Sequence, residues 1–289
     1  MAFDKVARID AGTKIVITGA NGLVGQALLN RLRSTSARTV ALTRYGTELP
    51  ANEVIPGPLT SPSAIDALKK ADYVVHLAGA ISPFGKNSYQ KANVETTEAV
   101  VHALRGGKAN RVLYLSHVNA HEESMNLYLK TKGIAENLLK ASGKQAVIFR
   151  CTHMIGSPET PGPLAHSMVA KPGRKKAGIF GNGRQRVAPL YVGDAVAALM
   201  AALEGGRAGV YDLAGPEMML MEDLARLLNR DPEVRISPSP NWVARLLSKV
   251  FPMMQPAFVD LILQDSLGDS SRAISAFGLK LTSLRTIWR

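Results

Sequence analysis

A single cysteine, Cys151, occurs in 289 residues. No internal disulfide can form and no cysteine-rich metal site can be built, which implies a reducing compartment with the cytoplasm as default. Acidic residues are scarce too: 23 Asp and Glu stand against 35 Lys and Arg, a formal charge of +12. Such a surface attracts anions, whether a phosphorylated cofactor, an anionic substrate, an acidic lipid face or nucleic acid. No aromatic stacking motif, zinc pattern or basic recognition helix accompanies the charge, so nucleic acid is set aside as a partner. No apolar run reaches membrane-spanning length. The opening MAFDKVARIDAGT mixes Asp4 and Asp10 with basic residues and has no apolar core or small-residue cleavage site, so it does not read as a leader. Repeats and low-complexity tracts are missing as well, and Ser237-Pro238-Ser239-Pro240 is the one clear linker.

What is present begins at Lys14. In KIVITGANGLVGQALLNRLR, a β-branched run (Ile15, Val16, Ile17) breaks at Thr18-Gly19, and Val24, Leu28 and Leu32, with Ala27 beside them, then recur at helical spacing. This is a strand, a tight turn and a helix start. Gly19 permits the turn, Gly22 lets backbone approach a pyrophosphate, and Gly25 lets the helix lie close to the sheet. The helix N-terminus faces the phosphates. The stretch therefore reads as a dinucleotide site formed by Gly19, Asn21, Gly22, Leu23, Val24 and Gly25.

The chain continues as alternating strands and helices. Thr39–Arg44 is a second strand, and at its end, where an acidic residue usually holds the adenine ribose, stand Thr43 and Arg44. A guanidinium suits a 2′-phosphate that a carboxylate would repel, which favours NADP over NAD while leaving NAD open. Val54-Ile55 followed by Gly57-Pro58-Leu59 forms a short third strand ending near the adenine. Pro62 starts a helix from about Ser61 to Lys70. Tyr73 to Gly79 is the fourth strand, with Leu77, Ala78 and Gly79 leaving room for cofactor, and His76 reads as a core histidine. A helix from Tyr89 to Leu104 follows, and Arg111–Ser116 is the fifth strand.

Next comes Asn126-Leu127-Tyr128-Leu129-Lys130-Thr131-Lys132-Gly133. Tyr128 and Lys132 are four apart on a helix running to about Ser142. Leu127, Thr131, Ile134 and Leu138 are its expected buried stripe, which puts Tyr128 and Lys132 on the flank. A tyrosine of ordinary pKa, about 10, is ionised only about one part in a thousand at neutral pH, and a nearby ammonium lowers that pKa. Such a phenol can exchange a proton with an alcohol or carbonyl oxygen while a nicotinamide exchanges hydride with the carbon.

At TGANGLVG (18–25), HLAG (76–79), YLKTK (128–132) and GNGRQRVAPLYVGDAV (181–196) the chain resembles the short-chain dehydrogenase/reductase superfamily, in its extended or atypical branch. LSHVNA (115–120) so soon before YLKTK looks most like the subgroup containing the nucleotide-binding accessory subunit of mitochondrial complex I and its bacterial relatives. The resemblance implies a Rossmann doubly wound parallel sheet with a smaller, discontinuous C-terminal substrate lobe. Residues 1–160 would form the NAD(P)-binding domain, 187–216 would return to it, and 161–289 would form the lobe. It also implies Tyr128 as acid/base and Lys132 as the residue that holds the nicotinamide ribose and depresses the tyrosine pKa. The superfamily's serine or threonine normally lies two residues beyond Ser116, where this chain has Val118. Ser116 is the substitute on the same strand face, and Asn119 is the weaker one.

In the second half, Ala146–Arg150 is a sixth strand, Cys151 reads as a packed small residue, and His153 faces either substrate or core. Lys171, Arg174, Lys175, Lys176, Arg184 and Arg186 gather without an acidic neighbour, a stretch suited to a phosphate or to solvent. Asp194 reads as a helix cap and Gly209–Gly215 as a strand and turn. From Asn241 the stripe Trp242, Val243, Leu246, Leu247, Val250 and Phe251, followed by Pro252-Met253-Met254 and Phe258 to Leu263, suits lobe packing, a greasy ligand, or association with a membrane surface or protein complex, with Arg245 and Lys249 toward lipid headgroups. Three functions follow: NADP-dependent oxidoreduction of an alcohol or carbonyl on a small lipophilic or phosphorylated substrate; an NADPH-binding scaffold without turnover; or a nucleotide-sugar epimerase or dehydratase.

Overall fold

A computed structural model describes residues 9–250 and 255–289, apart from the side chains of Leu247, Lys249 and Val250. The start of the opening segment (1–8) and Phe251, Pro252, Met253 and Met254 lie outside it, and with them part of the tail stripe.

In chain order the first half runs β1 (Lys14–Thr18), α1 (Leu23–Leu32), β2 (Arg38–Thr43), β3 (Glu53–Pro56), α2 (Pro62–Lys69), β4 (Tyr73–His76), a π-helical turn (Gln90–Glu95) leading into α3 (Thr96–Arg105), β5 (Arg111–His117), α4 (Leu127–Lys140) and β6 (Gln145–Cys151). The second half adds β7 (Met154–Ile155), α5 (Gly162–Met168), β8 (Lys176–Phe180), β9 (Arg186–Val187), β10 (Leu190–Tyr191), α6 (Val192–Glu204), β11 (Gly209–Leu213), β12 (Met219–Leu220), α7 (Met221–Asn229), β13 (Arg235–Ser239), α8 (Asn241–Val250), α9 (Pro256–Ile262), α10 (Ser271–Phe277) and α11 (Leu284–Ile287).

Seven strands form one parallel sheet in the order β11-β6-β5-β4-β1-β2-β3. Its central strands are buried on both faces, which is why Ile15, Val16 and Ile17, or Val74 and Val75, run without alternation. The order reverses direction between β1 and β4, and such a switch point opens a crevice at the strands' carboxyl ends. One face of the sheet packs against α1 and α6, the other against α2, α3 and α4. A separate core of Ile155, Ile179, Met219, Leu224, Ile262, Leu284 and Trp288 holds the segments from β7 onward that do not return to the sheet.

Local chemistry sets several element ends. Ser61 Oγ accepts from Ala64 N at the start of α2, with Pro62 in the first turn. Asn126 Oδ1 accepts from the Tyr128 and Leu129 amides, while its Nδ2 donates to Ala257 O at 2.8 Å, tying the start of α4 to α9.

The structure corrects five expectations. The fourth strand stops at His76, and residues 77–80 are loop. The helix expected at 89–104 opens with a π turn, a feature often found beside functional sites. Ser237-Pro238-Ser239 is not a linker but β13, paired with β8. Pro238 is tolerated because this ladder is only two strands wide, and Ser239 Oγ anchors it to Ile179 O at 3.0 Å. Asp194 is not the cap of α6; Tyr191 is, and the Asp194 carboxylate accepts from Thr282 N at 2.7 Å and Thr282 Oγ1 at 2.8 Å. On α4, Leu127 is exposed while Tyr128 and Lys132 are buried. The helix is covered by the sheet and also by α9, whose Ala257 and Leu261 pack with Tyr89, Tyr128 and Leu129. On α8, Trp242 and Leu246 are exposed and Ala244 is buried. No helix among the described residues is long and apolar enough to cross a membrane.

Candidate functional site

The site is built around the β1–α1 turn. Gly19 has φ +65°, and a Cβ there would stand 2.6 Å from Ala78 N and 2.7 Å from the Leu77 carbonyl, so the turn lies directly on the end of β4. A Cβ on Gly25 would meet Ala20 O at 2.6 Å, which seats α1 against the turn. No side chain caps α1 at Gly22. The positive end of the helix is left to the crevice.

Two adjoining cavities share Gly19, Gly22, Leu77 and Gly79. The outer one, about 520 Å³, runs past Asn21, Thr43, Arg44, Tyr45, Leu59 and Ala78. The inner one, about 350 Å³, is bounded by Leu23, Val24 and Gly25 on one side and by Ser116, Tyr128 and Lys132 on the other. The residues named from the sequence as cofactor contacts, with Ser116, Tyr128 and Lys132, thus line one or both cavities, whereas Asn119, the weaker substitute for the serine, lines neither. Arg44 is exposed, its guanidinium 6.0 Å from the Tyr45 ring centre. A dinucleotide fits this crevice on three counts: an uncapped helix end, a turn whose Gly19 leaves no room for a Cβ, and two adjoining cavities that reach from Arg44 to Tyr128.

A buried network fixes the floor. Thr97 Oγ1 donates to Asn93 O at 2.6 Å and so accepts from His76 Nε2 at 2.9 Å. His76 Nδ1 must then accept from Thr18 Oγ1 at 2.7 Å, and that oxygen accepts from Ala78 N at 3.1 Å. Asn93 continues it, with Oδ1 accepting from Ala80 N and Nδ2 donating to Thr131 Oγ1, both at 3.0 Å. His76 is the core histidine expected.

In the inner cavity the Lys132 ammonium donates to Leu115 O at 2.6 Å and lies 4.0 Å from the Tyr114 ring centre. Burial pushes its pKa down to about 7, against the opposing pull of Glu136. Burial raises the Tyr128 phenol above its ordinary value, the opposite of the depression expected from Lys132. Desolvation dominates, Cys151 and Tyr89 act the same way, and the Lys132 ammonium is directed at a carbonyl. Ser116 Oγ is buried and has no hydrogen-bond partner. Val118 is buried beside Gly268, outside both cavities, and Asn119 turns outward at φ +64°. Cys151 lines the cavity with its thiol pushed up to about 12 by burial, which makes it a packed group and not a nucleophile.

Several lining residues were given no cofactor or reaction role from the sequence. Lys86 and Lys91 join Arg44 in the outer cavity, with Glu95 the one carboxylate there; nothing in their local sequence marks them. His117 lines the inner cavity, and its place directly after Ser116 was the available signal. Phe258 and Ile262 come from α9, far along the chain. The basic group from Lys171 to Arg186 lines neither cavity, and two of its members are paired: Lys175 with Glu233, and Arg186 with Asp265.

A parallel sheet with a glycine turn at its switch point, facing a tyrosine and lysine on one helix, defines a nucleotide-binding α/β protein. Residues 15–214 match the NAD dependent epimerase/dehydratase family, and the chain belongs to that family. It is 29% identical over 198 residues to ceramide reductase of Caulobacter vibrioides, covering 66% of this chain and 61% of that one. It is 27% identical over 234 residues to the mitochondrial NADH dehydrogenase (ubiquinone) 1 alpha subcomplex subunit 9 of Arabidopsis thaliana, covering 75% of this chain and 58% of the subunit. The chain therefore spans roughly three-fifths of the length of these curated relatives. Among solved structures it is similar in fold to UDP-glucuronic acid 4-epimerase from Bacillus cereus in complex with UDP-glucuronic acid and NAD, with a TM-score of 0.75 at 20% identity, covering 95% of this chain and 96% of that one.

Proposed function

We propose that the chain is an NADP-dependent reductase of a lipophilic carbonyl compound. The observation that carries this reading is Ser116 Oγ, buried without a partner in the same cavity as Tyr128 and Lys132. A buried hydroxyl left unpaired is costly, and a substrate oxygen is the partner that would satisfy it. Leu23, Met154, Leu164, Phe258 and Ile262 give the cavity an apolar wall suited to a greasy substrate. The likeness to a ceramide reductase supports the same direction.

NADPH, when bound, supplies the hydride to the carbonyl carbon. Gly19 to Gly25 and the end of α1 would hold the pyrophosphate, Arg44 with Lys86 and Lys91 the 2′-phosphate, and Lys132 the nicotinamide ribose. Tyr128, already protonated at neutral pH and held more firmly so by its burial, would give its phenolic proton to the carbonyl oxygen while Ser116 Oγ–H hydrogen-bonds the same oxygen. A protonated phenol is the form that reduction needs. The product is an alcohol, and solvent returns the proton to Tyr128.

A second reading, an NADPH-holding subunit without turnover, draws on Val118 at the superfamily's serine or threonine position and on the likeness to the Arabidopsis subunit. Sugar-nucleotide chemistry comes third, since the cations at 171–186 stand apart from the cavities. The experiment that separates them measures NADPH and NADH affinity by fluorescence, then NADPH oxidation with long-chain ketones. NADPH binding with ketone-dependent oxidation supports the reductase. Tight binding with no oxidation across a broad ketone panel gives the second reading, and an NADH preference discards the 2′-phosphate assignment.

A further inference from the structure

His117 ends β5 one residue beyond Ser116 and lines the inner cavity. Its Nδ1 is 2.7 Å from Val118 O. A carbonyl oxygen only accepts, so Nδ1 carries the proton, and in the neutral ring Nε2 is left as a bare acceptor. Burial is the main reason the ring stays neutral, pushing its pKa down to about 4, with Lys132 acting the same way and the bond to Val118 opposing.

That Nε2 is buried and has no partner in the structure. The groups around it leave it unmet. The Tyr128 and His117 rings meet at a steep angle of 75°, 5.8 Å between centres, Lys132 is directed to Leu115 O, and His153, 5.7 Å away ring to ring, has an unpartnered Nε2 of its own. An unpaired buried acceptor in a cavity wall discriminates strongly, because a ligand without a matching donor leaves it unpaired.

Resting on the reductase reading above, we infer that His117 is a specificity-determining residue whose Nε2 accepts a hydrogen bond from an O–H or N–H group near the reacting carbonyl. The substrate class is then an apolar chain ending in a carbonyl with a neighbouring hydroxyl or amide N–H, and not a simple ketone. Ser116 and Tyr128 address the carbonyl oxygen, His117 addresses the neighbouring donor, and the apolar wall takes the chain. His117 takes no part in proton transfer.

The test uses the full chain loaded with NADPH and two matched probes, hydroxymethyl undecyl ketone and methyl undecyl ketone. Binding is measured by calorimetry and NADPH oxidation in parallel, for wild type, His117→Phe and His117→Gln. Long-range ¹⁵N–¹H correlation of the histidine rings reports the tautomer and any hydrogen bond at Nε2. The expected result is a preference for the hydroxyketone of at least about tenfold in wild type, worth about 1.4 kcal/mol. It is lost in His117→Phe and kept in part by His117→Gln, whose amide oxygen can still accept. The Nε2 resonance moves with the hydroxyketone and not with the plain ketone. Equal binding and turnover of both probes overturns the role of His117 and leaves the reductase reading standing. Failure of both to bind overturns the substrate class and the reductase reading together. A protonated Nε2, or an Nε2 resonance that moves on adding NADPH alone, overturns the inference directly, even if a variant fails to fold.

Discussion

Arg150 closes on both carboxylate oxygens of Glu136, Nε to Oε1 at 2.9 Å and Nη2 to Oε2 at 2.7 Å. Glu136 is almost wholly buried one turn beyond Lys132, so the pair joins β6 to the helix that carries Tyr128 and Lys132. Arg150 Nη2 reaches Ala120 O as well, at 3.1 Å, fixing the loop after β5. Glu136→Gln removes the charge and leaves Arg150 half-buried with a weaker partner. We expect a loss of about 2–4 kcal/mol in urea unfolding, less than for a fully enclosed pair because Arg150 is partly solvated. A change below about 0.5 kcal/mol would mean the clamp is not structural.

Tyr128→Phe keeps the ring that packs against Tyr89 and His117 and removes only the hydroxyl. Ketone-dependent NADPH oxidation is expected to fall by roughly 10²–10⁴-fold, the usual worth of a positioned proton donor. NADPH affinity should stay within about twofold of wild type, a range worth well under 1 kcal/mol. Full-rate turnover in the variant would assign the proton to another group.

Arg44→Ala is expected to reduce a tenfold or greater NADPH preference over NADH toward parity, a change of about 1.4 kcal/mol or more. Lys86 and Lys91 line the same cavity, so a residual preference that disappears only in the Arg44→Ala/Lys86→Ala double variant would spread the phosphate contact across them. Fluorescence titration with both nucleotides reads this. No loss of preference in either variant would show that Arg44 is a solvated arginine.

Three buried histidines set an acid limit. Burial holds His76 and His153 at about 3 and His117 at about 4, below the ordinary 6.5. The unfolded chain takes up these protons as pH falls through about 6.5, whereas the folded chain refuses them until about 3–4, so stability is complete above 6.5 and declines below it. Each histidine contributes up to about 1.4 kcal/mol per pH unit in that window. Urea midpoints should drop steeply from pH 6.5 to 4.5, and His153→Asn should flatten the slope. A flat profile would contradict the burial of these rings.

Much of this was legible from local pattern. The strand–turn–helix at Lys14 to Arg33 was, because Gly19 and Gly25 are required by contacts within a few residues or with the neighbouring strand. Arg44, Leu59 and Gly79 were, because each lies at a strand end whose place follows from parallel topology. The orientation of α4 was not. Its buried Tyr128 and Leu129 pack against α9, more than a hundred residues later, which no helical period encodes. The strand at Pro238 was missed because proline and serine read as a break, while pairing with Lys176–Phe180 is a tertiary fact. The tautomer of His117 was beyond reach, since it depends on which atom faces Val118 O.

The last strand of the main sheet, β11, is made 58 residues after β6, the strand it pairs with (209 minus 151). During synthesis at roughly 5–20 residues per second, the ladder edge of β6 stands open for several seconds after it leaves the ribosome. An open edge is a template for pairing with other chains. The nascent protein thus passes through a stage in which its nucleotide crevice is nearly assembled while β6, a central-sheet strand of the finished fold, is still the edge of the sheet.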